Sequence, residues 1–226
     1  MGQDQREKML KKIVIFDIGF GGELFADYVE KELAIIDTIR VIDWRESPNL
    51  YKNPHLARKN ALEILRPYIN KVDVIVIANY FISSIGLDYF RDKYPSQKFV
   101  GFSFPQDSAR NQRAFILPTK SLRMLPSYQL FKYRLHAKTQ EFDCEAWARM
   151  MDDGELTPAK ITEDLQPFAD FKPQKVYMLC THLPKIKPTI RKIFGGNVKI
   201  EDGYKQTYKD LCVALGFKGI DGRKKK

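Results

Sequence analysis

Val72-Asp73-Val74-Ile75-Val76-Ile77-Ala78 is the clearest strand in the sequence, with five of its seven residues β-branched. A short continuous apolar run of this kind reads as a strand buried on both faces, the signature of a parallel sheet. Its flanks agree. Upstream, residues 54–69 place Ala61, Leu62, Leu65, Tyr68 and Ile69 on one face of a helix, with Pro67 as a kink or stop near its end. Downstream, residues 86–93 read as a short helix and residues 98–104 as the next strand.

The same alternation runs outward in both directions. Strands are expected at 12–17, 39–43, 113–117, 175–179 and 198–200. Helices are expected at 23–33, 125–134, 144–151, 158–171, 184–194 and 204–215. Thr157 followed by Pro158 is a helix start, and Gly195-Gly196 and Gly216 are helix stops. Strands alternating with helices imply parallel sheets with helices on both faces. Ligands of such sheets bind beyond the carboxyl ends of the strands. The loops that matter therefore follow Asp17, Asp43, Ala78, Phe104, Leu117 and Leu179.

Composition narrows the class. The 226 residues suffice for one large domain or two small ones, and 44% hydrophobic residues support a sizeable core. The sequence has no apolar run long enough to span a membrane, and residues 1–12 are charged rather than signal-like. Three scattered cysteines, Cys144, Cys180 and Cys212, do not make a disulfide framework. These features point to the cytosol. A net charge of +10 favours anionic ligands or surfaces without choosing among them. The one compact basic run, Arg223-Lys224-Lys225-Lys226, reads as a solvated end. Cys and His show no zinc-ligand spacing, and no nucleic-acid motif is present, so metal and nucleic acid are not expected.

Four strand-end loops stand out. Phe16-Asp17-Ile18-Gly19-Phe20-Gly21-Gly22 would let backbone approach a ligand, but Leu24 breaks a dinucleotide-binding spacing and no phosphate-loop Lys-Ser/Thr follows. Asp43-Trp44-Arg45-Glu46-Ser47-Pro48-Asn49 and Ala78-Asn79-Tyr80-Phe81-Ile82-Ser83-Ser84 are the second and third. In the fourth, Leu179-Cys180-Thr181-His182-Leu183-Pro184, a thiol at a strand end has an imidazole two residues away and a helix ahead. Both neighbours favour thiolate, although a buried strand-end Cys with a capping Thr fits the residues equally well.

Taken together the loops resemble glutamate racemase, of the aspartate/glutamate racemase superfamily. The similarity rests on Phe-Asp-x-Gly-x-Gly-Gly near the N-terminus, x-Ala-x-x-x-x-Ser after the third strand, and Cys-Thr-His-x-Pro-x-x-Lys-Pro over residues 180–188. Asp43 and Pro48 match an Asp-x-x-x-x-Pro loop, residues 144–154 resemble a Cys-Pro to Glu-x-Gly segment, and Glu201-Asp202-Gly203 is similar to Asp-Ser-Gly. The matches fall in the family's order over roughly residues 12–215. The resemblance implies an α/β fold of two pseudo-symmetric three-layer lobes with mainly parallel sheets and an active-site cleft between them. The first lobe would hold residues 12–103 and 204–226, the second 104–203.

It also implies cofactor-independent proton transfer at a carbon next to a carboxylate, with two thiols facing opposite sides of an amino acid. Carried onto this chain, the catalytic residues are Cys180, His182 and Asp17, and the substrate-binding ones Asn79, Tyr80, Thr181, Pro48, Asn49 and Thr119. No cofactor or metal is implied. The partner is a small carboxylate or amino acid. Family members often dimerise, so the resemblance extends to a homodimer.

The pattern breaks at the first thiol. Where the family has Ala-Cys-Asn-Thr-Ala-Ser, this chain has Ala78-Asn79-Tyr80-Phe81-Ile82-Ser83. An Asn amide does not titrate near neutral pH and cannot act as a general base. Ile18 replaces a Ser, and Asn49-Leu50 replaces a Tyr-Gly. Cys144 falls in the family's non-catalytic segment. Three functions stay open on this reading: a racemase-like isomerase using Cys180 with another acid such as Tyr80, a one-thiol enzyme resembling arylmalonate decarboxylase, and a non-catalytic binding or regulatory protein on the racemase fold.

Overall fold

A computed structural model describes residues 10–33, 35–44, 53–106 and 109–217. The chain divides into two compact units, Met1–Ser103 with Tyr204–Lys226, and Phe104–Gly203.

The first unit is built on β1 (Lys11–Asp17), β2 (Ile36–Ile42), β3 (Val74–Ile77) and β4 (Lys98–Gly101), paired in the order β2-β1-β3-β4. Every pairing is parallel. Its helices are α1 (Gly21–Glu32), α2 (Pro54–Leu65), α3 (Tyr80–Lys93) and, returning from the far end of the chain, α9 (Tyr204–Ala214). The central strand β3 is buried at every residue, as its unbroken apolar run requires.

The second unit repeats the plan. β5 (Arg113–Pro118), β6 (Lys138–Glu141), β7 (Lys175–Leu179) and β8 (Lys199–Asp202) pair in the order β6-β5-β7-β8, again all parallel. Between them run α4 (Lys120–Arg123), α5 (Pro126–Arg134), α6 (Glu145–Asp152), α7 (Pro158–Leu165) and α8 (Lys187–Phe194). Phe115, Leu117, Trp147, Ile161, Leu165, Val176 and Ile190 belong to the core beside the sheet. Trp147 is anchored by an indole N–H bond to Asp164 Oδ2 at 2.8 Å, so its polar end is satisfied.

The structure corrects the sequence reading in four places. The helix expected at 86–93 starts at Tyr80, because Asn79 caps it: its side-chain oxygen accepts from the Ile82 N–H at 2.9 Å. Tyr80, Phe81, Ile82 and Ser83 are all buried, so this first turn shows no amphipathic period to read. β6 is absent from the sequence reading. Its Lys-Thr-Gln-Glu is a half-exposed sheet edge with no apolar pattern. The helices expected at 54–69 and 158–171 tighten into 3₁₀ turns at Arg66–Tyr68 and Gln166–Phe171, each with a proline at its second residue. The helix expected from residue 184 begins with a 3₁₀ turn, Leu183–Ile186, and becomes α-helical at Lys187.

Ser83 explains one family match in structural terms. Its hydroxyl donates to the Ile77 carbonyl at 3.0 Å and accepts from the Phe102 N–H at 2.9 Å, so it ties the ends of β3 and β4 together. Gly101 sits against it: a Cβ there would lie 2.8 Å from Ser83 Oγ and 2.9 Å from Leu87 Cδ2. The leucine methyl can shift, but the hydroxyl is held from both sides. Gly101→Ala should therefore cost about 1–3 kcal/mol through overpacking, read as a lower denaturant midpoint at unchanged slope. An unchanged midpoint would mean that the Ser83 bridge does not constrain the strand ends.

Candidate active site

In the first unit the site residues collect at the carboxyl ends of β1 and β3, which are neighbours in the sheet. Asp17 ends β1 and is 1% exposed. Its Oδ1 accepts from the Ile18 N–H at 2.7 Å and from the Asn79 side-chain amide at 2.8 Å. Asn79 is thus engaged at both ends of its amide, the nitrogen on Asp17 and the oxygen on the α3 cap. The glycine loop has a packing role here. A Cβ on Gly22 would lie 2.5 Å from Asp17 Cβ, so only glycine lets α1 start this close to the aspartate. Tyr80 is buried, its ring edge-on to Phe102 at 5.2 Å, within an aromatic group that includes Phe25 and Tyr204.

In the second unit Cys180 follows β7 directly and is 7% exposed. Its Sγ lies 3.4 Å from His182 Nδ1, and His182 Nε2 lies 2.8 Å from Asp152 Oδ1. Sulfur, imidazole and carboxylate form a relay. Asp152 favours the proton on Nε2, which leaves Nδ1 to exchange a proton with the sulfur. Cys144 lies in the same buried apolar cluster as Cys180, its own thiol donating to the Leu117 carbonyl at 3.4 Å. Cys144 caps the start of α6 and Asp152 is its last residue, so one helix supplies both outer neighbours of the Cys180–His182 pair.

These contacts divide the two thiols. The neighbouring Cys144 thiol holds the Cys180 thiol well below its usual range. Burial opposes this, and the charge and hydrogen bonds of His182 add to it. Burial, reinforced by the neighbouring Cys180 sulfur, pushes the Cys144 thiol well up. The surroundings of Cys180 therefore favour its thiolate, while burial favours the protonated form of Cys144. The α-helix expected to stabilise the thiolate is not the cause: a 3₁₀ turn intervenes, and α8 begins seven residues after Cys180. Burial likewise raises the Cys212 thiol, which belongs to the first unit.

The structure thus brings Asp17 together with Asn79, and Cys180 with His182. Thr181 is buried between the latter two in sequence. Thr119 caps α4, its hydroxyl accepting from the Leu122 N–H at 3.4 Å. Pro48 and Asn49 lie outside the described residues. Sequence reading leaves Asp152 without a role. The available signal was a carboxylate in the last turn of a helix, where it opposes the helix dipole. Among the described residues no cluster of His, Cys, Asp and Glu could hold a metal, and no helix is long and apolar enough to cross a membrane.

No family model matches the chain. The glutamate racemase of Aliarcobacter butzleri is 27% identical over 205 residues, covering 84% of this chain and 78% of that protein. Escherichia coli glutamate racemase, solved with L-glutamate and the activator UDP-MurNAc-ala, superposes with a TM-score of 0.81 at 16% identity, over 96% of this chain and 86% of that one. The aspartate racemase of Picrophilus torridus superposes with a TM-score of 0.58 at 13% identity, over 92% of this chain and 94% of that one. The chain is thus similar in sequence to glutamate racemases and shares the two-lobed α/β fold of the solved glutamate and aspartate racemases.

Proposed function

We propose that this chain catalyses cofactor-independent proton transfer at the α-carbon of an amino acid or related carboxylate, using Cys180 as its single thiol base. The observation that carries this reading is the Cys180–His182–Asp152 relay, with separations of 3.4 and 2.8 Å. A thiolate beside an imidazole can take a proton from carbon and return it, and the carboxylate keeps the imidazole oriented. The glutamate racemase relatives support a racemase-like reaction.

The racemase pattern calls for a second thiol, and Asn79 occupies that position by sequence resemblance. Its amide carries no exchangeable charge and is committed to Asp17 and to the helix cap. Inversion needs a proton delivered to the opposite face of the carbanion. With one base, protonation returns to the face it left. The expected activity is α-proton exchange without matching inversion. Cytoplasmic location and a homodimer belong to the same proposal.

Incubation with L- and D-glutamate and aspartate in deuterated water, followed by NMR and chiral analysis, tests it. Exchange should outrun inversion, and Cys180→Ser should reduce exchange at least about 100-fold. Inversion as fast as exchange would overturn the one-base reading; inertness toward a broad panel of carboxylates would overturn catalysis. Asn79→Cys should lose about 1 kcal/mol of stability with the helix cap and gain measurable inversion. A folded variant that exchanges without inverting would remove position 79 from the reaction.

The thiolate assignment has its own check. A thiol with a depressed pKa is already ionised at neutral pH and loses reactivity only as pH falls through that value. Iodoacetamide should therefore label Cys180 at a rate flat from about pH 7 to 8.5, where an ordinary thiol is still gaining. His182→Gln and Asp152→Asn should each move the midpoint upward. An ordinary thiol profile in the unaltered protein would rule out a resting thiolate.

A further inference from the structure

Cys144 is not the base of the proton transfer proposed above, yet it lies beside Cys180 in one buried cluster. We propose that Cys180 and Cys144 form a peroxide-reactive thiol pair, in which Cys180 is oxidised first and Cys144 resolves it as an intramolecular disulfide.

The backbone places the two side by side. Pro118 of β5 pairs with Leu179 of β7, and Cys180 is the next residue. The Cys144 amide donates to the Pro118 carbonyl at 3.0 Å, and the Cys144 Sγ lies 3.4 Å from the Leu117 carbonyl. Cys144 is thus fixed over the end of β5 while Cys180 leaves the end of the adjacent strand, about 4.8 Å away. Both side chains belong to one buried apolar cluster. A disulfide needs Cα atoms within about 7 Å, a span that residues at the ends of two adjacent strands can meet. Both are free thiols in this structure.

The roles follow from exposure and charge. Cys180 is 7% exposed, with His182 3.4 Å from its sulfur to favour the thiolate; Cys144 is fully buried, which favours its protonated form. Oxidant therefore meets Cys180. Its sulfur attacks one oxygen of hydrogen peroxide, the O–O bond breaks, hydroxide leaves and Cys180 becomes a sulfenic acid. The Cys144 sulfur then attacks the sulfenic sulfur, displacing the hydroxyl, which leaves as water with the Cys144 proton. Two thiols have lost two electrons and the peroxide has been reduced to two waters. An external dithiol reverses the reaction by exchange. Without Cys144, the sulfenic acid is open to further, irreversible oxidation. None of this requires the chain to turn over an amino acid.

The test uses purified full-length protein, hydrogen peroxide and alkylation under denaturing conditions. Titratable thiols should fall from three to one, with a Cys144–Cys180 linked peptide by mass spectrometry, a monomeric band on a non-reducing gel, and full recovery in dithiothreitol. Cys144→Ser keeps a hydroxyl beside Cys180 but cannot form the bond; in it, Cys180 should advance to sulfinic acid that dithiothreitol does not reverse. Cys180→Ser should leave Cys144 reduced. The proposal is overturned if Cys180 of the unaltered protein goes to sulfinic acid without a linked peptide, if the link joins Cys212 or a second chain, or if Cys180 resists peroxide. The first measurement needs no variant, so it decides the matter even where a substitution impairs folding.

Discussion

The parallel pairing of β5 with β7 is the constraint on which the reactive part of this protein depends. Setting Pro118 against Leu179 brings the chain that leaves β7 beside the loop that leaves β5. Parallel strands use their backbone groups within the sheet, so the first side chains beyond their ends are the first available for chemistry. Cys180 is such a residue. Cys144, held by the Pro118 carbonyl, is its neighbour across the strand gap. Helix α6 then runs on to Asp152 and returns a carboxylate to His182. Trp147, buried between these two points and bonded to Asp164, keeps the helix in place.

The first unit has the same strand order and an equivalent strand end, yet its chemistry is quiet. β3 finishes beside β1, and Asn79 reaches from one strand end to Asp17 on the other. What a thiol would leave open, the amide closes: one end caps α3, the other neutralises a hydrogen-bonding demand of a buried carboxylate. A buried carboxylate is costly without donors, so Asn79 is well explained by local stability alone. The aromatic residues after it are explained in the same way, since Tyr80 packs on Phe102 within the unit's core. Among the described residues, the Cys180–His182–Asp152 relay proposed as reactive belongs to the second unit.

Most of the fold was legible because parallel sheets write themselves plainly. β3 and β7 are apolar runs bounded by loops, and the helices carry their caps at Thr157 and their stops at Gly195 and Gly216. β6 escaped because an edge strand of Lys138-Thr139-Gln140-Glu141 buries too little to need a pattern. The start of α3 escaped because a helical turn buried all round has no period. At the site, Cys180 and His182 were legible from their spacing of two. Asp152 and Cys144 were not, because their meeting with that pair is set by sheet register and by the length of α6.

That α6 carries this geometry can be argued from the rules it breaks. A stabilising design would put cations, not Asp152, in the last helical turn, and would cap its first turn with Ser, Thr, Asp or Asn rather than a buried Cys that makes no side-chain cap bond. Each departure from local preference lies at an end of the helix: Asp152 bonds to His182, and Cys144 shares a buried cluster with Cys180. Local rules are most often broken where a protein does something other than fold. At the equivalent strand end of the first unit, Asn79 obeys them as a bonded cap. The contrast favours β7 as the seat of the proposed chemistry, with Cys144 beside it at the edge of the core.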